Sequence, residues 1–78
     1  MPHFYFDHRD NGCFIEDDAG LEFPTLEEAR DQAARALAEM AKFVLPGAIL
    51  HQLAIEVRDA AKRPVMHTTL RYEAVSLV

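Results

Sequence analysis

Apolar and polar residues alternate with two different periods along this chain, and the switch between them marks the elements. His3 to His8 reads "HFYFDH". Phe4 and Phe6 point one way while His3, Tyr5 and Asp7 point the other, the two-residue period of a strand. Asp10-Asn11-Gly12 is a hairpin turn signal, because Asn and Gly tolerate positive φ. Cys13 to Ile15 forms the short return strand. "EDDAG" (Glu16 to Gly20) is a second polar turn, followed by a short extended piece over Leu21 to Phe23.

The period then changes. Leu26, Ala29, Ala33, Leu37, Met40 and Val44 recur at spacings of three and four, which predicts a helix over Leu26–Val44. At 1.5 Å per residue it would be about 28 Å long. Pro24 disfavours helical geometry at Phe23. Thr25 with Glu28 reads as a capping box, in which the Thr hydroxyl accepts a free N–H and the Glu reaches back. Glu27, Glu28 and Asp31 crowd the positive end of the helix dipole, and Leu45-Pro46-Gly47 ends the helix. Beyond it the two-residue period returns. Leu53, Ile55 and Val57 face inward from His51–Asp59, with Gln52, Ala54, Glu56 and Arg58 opposite. On the last strand, Pro64–Tyr72, Met66, Thr68 and Leu70 share the core face, with His67, Thr69 and Arg71 opposite. Hairpin, long helix, hairpin predicts an α+β, two-layer single domain over residues 1–78, with the helix packed on one face of an antiparallel sheet.

Size sharpens this picture. At 78 residues the domain buries only about 60% of the surface its unfolded chain exposes, so its stability margin is thin. A hydrophobic fraction of 50% excludes a disordered acidic chain. The net charge of −5 and eight scattered basic residues argue against nucleic acid as a partner. The single cysteine forbids an intrachain disulfide and fits a reducing, cytoplasmic setting. The N-terminus lacks the pattern of a signal peptide, and no apolar run is long enough for a bilayer. The sequence therefore reads as a complete cytoplasmic protein.

Two segments, "HFYFDHRDNGCFIEDDAGLEFPTLEEARDQAARAL" and "IEVRDAAKRPV" with the closing "LRYEAVSL", resemble a family of short uncharacterised proteins of rhizobia and related alphaproteobacteria. Members pair an aromatic strand and a D-x-x-G turn with P-x-L-E-x-A-R, a helix and an "EV-R-D" strand. At the position of Lys62 the family often carries glycine. The resemblance implies a fold and no chemistry, since the family has no established activity. A fold-level similarity to HicB-like antitoxins rests on "TLEEA", Thr25 to Ala29, leading from a hairpin into a helix; it implies a small toxin or a nucleic acid complex as partner.

Candidate chemistry is sparse. Asp7, Asp10, Asn11, Glu16, Asp17, Asp18 and Glu22 offer oxygen ligands, but an EF-hand frame started at Asp7 puts Arg9 at the third position and Asp18 at the twelfth, so the calcium-loop pattern fails. The acidic loop of residues 16–22 is expected to be a solvated turn, with at most weak cation binding. His3, His8, His51 and His67 have no ligand spacing suited to zinc. Cys13 lies among acidic neighbours that oppose a thiolate. No catalytic, cofactor or metal residues are assigned, and an enzyme is not expected.

What remains is the sheet face the single helix cannot cover. It should carry Tyr5, Ala54, Glu56, Arg58, His67, Thr69 and Arg71, and the candidate partner surface is Tyr5, Glu56, Arg58, His67, Thr69 and Arg71. One aromatic with mixed charges suits a homodimer or another protein better than nucleic acid. The apolar tail Val75, Leu77 and Val78 should either complete the core or cross to a second chain.

Overall fold

The computed structural model describes all residues, Met1–Val78. In chain order the elements are β1 (His3–Asp10), β2 (Cys13–Ile15), β3 (Leu21–Glu22), α1 (Leu26–Val44), β4 (Leu50–Arg58) and β5 (Pro64–Glu73). They form a five-stranded antiparallel sheet in the order β2-β1-β4-β5, with β3 also pairing β1, and the helix packs on one face. The expected α+β two-layer architecture is therefore the observed one.

Local chemistry explains each junction. Asn11 and Gly12 both take positive φ, at 52° and 103°, so Asp10 pairs directly with Cys13 around a two-residue turn. Thr25 caps the helix by accepting the Glu28 N–H at 3.1 Å. Glu28 makes no return hydrogen bond, so only half of the expected capping box forms. Its side chain stays exposed in the first turn, where its charge still favours the dipole.

The core is small. Phe4 and Phe6 of β1, Leu53, Ile55 and Val57 of β4, and Ala29, Ala33 and Leu37 of α1 make one buried cluster. The alanines let the helix lie close to the sheet. Phe23 closes the end of the cluster edge-on to Phe6, with ring centroids 5.9 Å apart. Each fully buried Leu, Ile or Val contributes about 1.5–3 kcal/mol. Only 10 of 78 residues are buried, so few such contributions hold the fold.

The outer parts of the helix stripe are less covered than its period suggests. Leu26 is exposed, and Met40 and Val44 are only partly buried. The tail does not complete the core: Val75, Leu77 and Val78 are exposed, beyond the last strand. No helix is long and apolar enough to cross a membrane.

Candidate functional site

Direct cross-strand partners share a face, so the register sorts the polar residues. Tyr5 lies opposite Arg58, Asp7 opposite Glu56, Glu56 opposite His67, Ala54 opposite Thr69 and Gln52 opposite Arg71. Tyr5, Glu56, Arg58, His67, Thr69 and Arg71 thus all lie on the face away from the helix. Their contacts fall into separate groups, Tyr5 with Arg58 and Glu56 with His67.

Arg58 turns inward. Its Nε donates to Asp7 Oδ2 at 2.7 Å and its Nη2 to Asp7 Oδ1 at 2.9 Å, a two-pronged pair. Asp7 is the one charged residue among the buried set. The same Arg58 Nη2 donates to the Asp17 carbonyl at 3.0 Å, and the guanidinium stacks over Tyr5 at 5.0 Å. The hydrogen bond to Asp7 holds Arg58 even more firmly protonated than usual, against the opposing effect of burial. Glu56 sits between Arg9, at 3.5 Å, and His67, at 3.8 Å. His67, Thr69 and Arg71 remain exposed on β5.

The acidic loop is tied to this pair. Between Ile15, opposite His8, and Leu21, opposite Phe4, the outer strand breaks into β2 and β3. Asp17 fills the gap with its side chain. Its Oδ2 accepts the Phe6 N–H of β1 at 3.0 Å, and its Oδ1 accepts the N–H groups of Ala19 and Gly20 at 3.0 Å. Its own N–H donates to Asp7 Oδ1 at 2.9 Å. Burial works to raise the Asp17 carboxyl, but the N–H groups of Phe6, Gly20 and Ala19 outweigh it and hold it below the usual carboxylate range. Gly20 is required here: its φ is +71°, and a Cβ would lie 2.6 Å from the Phe4 carbonyl oxygen. The loop is thus a turn pinned by one aspartate, whereas Glu16, Asp18 and Ala19 are exposed as expected of a solvated turn.

No group of three His, Cys, Asp or Glu side chains converges. β4 separates the strands of His3 and His67, and His3 Nε2 lies 2.8 Å from the Ala19 carbonyl. His51 pairs with Asp10 and Asn11 across β1 and β4. Cys13 is exposed. A shallow groove of about 440 Å³ runs beside the helix, lined among others by Phe6, His8, Ile15, Leu21, Gln32 and Ala36. It lies on the helix side of the sheet, opposite the expected partner surface.

The longer of the sheet's two outer edges is that of β5. The Ala74 N–H donates to the Ile49 carbonyl at 2.8 Å. Antiparallel pairs alternate between bonded and non-bonded, so with Leu53 opposite Leu70 and Ile55 opposite Thr68, the even-numbered residues Met66 to Ala74 bond to β4. His67, Thr69, Arg71 and Glu73 therefore aim their N–H and C=O groups outward. Pro64 and a register shift at Val57/Arg58 protect only the start of the strand. Beside this edge, Leu70 and Tyr72 remain 36% and 37% exposed on the helix side.

The sequence of these elements, β1 through most of β5, matches a described family over residues 3–71. The chain belongs to the family described as Domain of unknown function (DUF6894). No curated protein and no solved structure matches the chain. The DUF6894 match includes Asp7, Asp17 and Arg58 and the edge residues His67, Thr69 and Arg71. Its description names no activity and no host group, and no similarity to HicB-like antitoxins accompanies it.

Sequence reasoning placed Arg58 on the right face but missed its partner. The signal was present in Asp7, an acid directly after the core Phe6 in an aromatic strand, but using it requires knowing that β1 and β4 are neighbours.

Proposed function

We propose that this domain is a non-catalytic protein-interaction module that binds by strand addition along the outer edge of β5, with a second copy or another protein as partner. The observation that carries this reading is the outward row of backbone groups at His67, Thr69, Arg71 and Glu73. Backbone hydrogen bonding supplies affinity in such modes, and neighbouring side chains supply selectivity. Exposed Leu70 and Tyr72 add apolar area to the same edge. The ties of Arg58 to Asp7 and of Asp17 to backbone N–H groups support a structural rather than catalytic use of the buried polar groups. The lone cysteine fits a cytoplasmic location.

A HicB-like role, with a small toxin or a nucleic acid complex as partner, is the second reading. It is favoured by the hairpin and the Thr25 cap before an alanine-rich helix. Arg9, Arg30, Arg58 and Arg63 all lie beside carboxylates, which weakens its nucleic-acid branch. Absence of a toxin-sized reading frame beside the gene would remove it.

The test of strand addition is Thr69→Pro. Proline removes an outward N–H without breaking a bond to β4. Light scattering should show that assembly, with the protein itself or a purified partner, is lost while circular dichroism keeps the fold. Assembly unaffected by this substitution would defeat the reading.

A further inference from the structure

We propose that the strand added to β5 is β5 of a second copy, antiparallel, with Leu70 on the two-fold axis. This rests on the strand-addition reading and fixes its partner and register. An antiparallel pair exchanges hydrogen bonds between residues whose backbone groups both point outward. The outward run is His67, Thr69, Arg71 and Glu73, and Leu70 is its midpoint. Among two-fold registers, only the one centred on Leu70 pairs every member of that run. Thr69 meets the partner's Arg71, and His67 meets the partner's Glu73.

Charge selects the same register. An axis at Thr69 sets Arg71 opposite the partner's His67, with no carboxylate across from it, and an axis at Arg71 sets two guanidinium groups face to face. Like charges directly opposite are destabilising. With Leu70 on the axis, the Glu73 carboxylate faces an imidazole. On the helix side Leu70 packs on its own copy, and Tyr72 faces the partner's Thr68. The two large apolar side chains left more than a third exposed on the helix side of this edge are then covered. The two sheets become one, with both helices on the same side.

Leu70 and its copy form a non-bonded pair in this register, with Cα atoms about 4.5 Å apart, inside disulfide reach. In a Cys13→Ser background, Leu70→Cys should oxidise to a covalent dimer, whereas Thr68→Cys should not. As a check independent of Leu70, a mixture of Thr69→Cys and Arg71→Cys chains should cross-link to each other in preference to themselves. Light scattering on the unsubstituted chain separates the possible failures. An assembly that cross-links through Thr68→Cys or Thr69→Cys alone overturns the register and leaves strand addition standing. A monomer at every concentration, with no cross-linking, overturns the second copy as partner. Assembly that survives Thr69→Pro overturns strand addition itself.

Discussion

Arg58 grips Asp7 through two N–H···O bonds, at 2.7 and 2.9 Å, on the face of the sheet that has no helix. A charged aspartate at 3% exposure in so small a domain is tolerable because both carboxylate oxygens are engaged. The pair also fixes the acidic loop, since Asp7 accepts the Asp17 N–H and Arg58 donates to the Asp17 carbonyl. One ion pair therefore joins β1, β4 and the break between β2 and β3.

Removing Arg58 leaves Asp7 buried without its cation, and removing Asp7 leaves Arg58 with only the exposed Glu16, at 3.7 Å. Asp7→Ala or Arg58→Ala should each cost about 3–5 kcal/mol, enough to unfold much of a thin domain. Arg58→Lys should recover only part of the loss, because an ammonium cannot reproduce the planar fork. Urea denaturation followed by circular dichroism measures all three. A loss within about 0.5 kcal/mol, typical of a surface site, would contradict this role.

Asp17 makes the fold acid-sensitive in a defined direction. Its carboxyl lies below the ordinary value when folded, so the unfolded chain takes up the proton first as pH falls. The stabilisation is present above the unfolded value of about 3.9 and is lost as pH drops through the lower folded value. Asp17→Asn should lower stability at neutral pH by about 1–3 kcal/mol and flatten its fall below about pH 4. Stability measured by urea between neutral and acid pH tests both signs.

Much of this fold was legible locally. The helix runs over the expected Leu26–Val44, and Leu53, Ile55 and Val57 are all fully buried. Met66, Thr68 and Leu70 share the helix side of β5 as their alternation implied. Periodicity reports which way a side chain points and not which strand lies beside it. The β1–β4 pairing, and with it the burial of Asp7, was therefore invisible. Asp17 and Asp18 look alike in sequence, yet only Asp17 falls opposite the Phe6 N–H. The free edge of β5 likewise follows from strand order, which local pattern does not contain.

Lys62 sits in a strained turn position: it adopts φ 64°, the left-handed region glycine favours. Its ammonium lies over Tyr5 at 5.3 Å, a partial compensation. A left-handed non-glycine residue costs about 1–2 kcal/mol, so Lys62→Gly should be neutral to stabilising by about 1 kcal/mol. Thermal unfolding checks the sign. Clear destabilisation would mean that the cation over Tyr5 outweighs the backbone cost.

The edge of β5 gives the most direct test of the central claim. Amide hydrogen exchange of the intact chain, followed residue by residue, separates inward from outward N–H groups. Met66, Thr68, Leu70 and Tyr72 should be protected at all concentrations by their bonds to β4. His67, Thr69, Arg71 and Glu73 should exchange fast when dilute and become protected together as the assembled species grows. Assembly with those four amides still exchanging fast would contradict strand addition along β5.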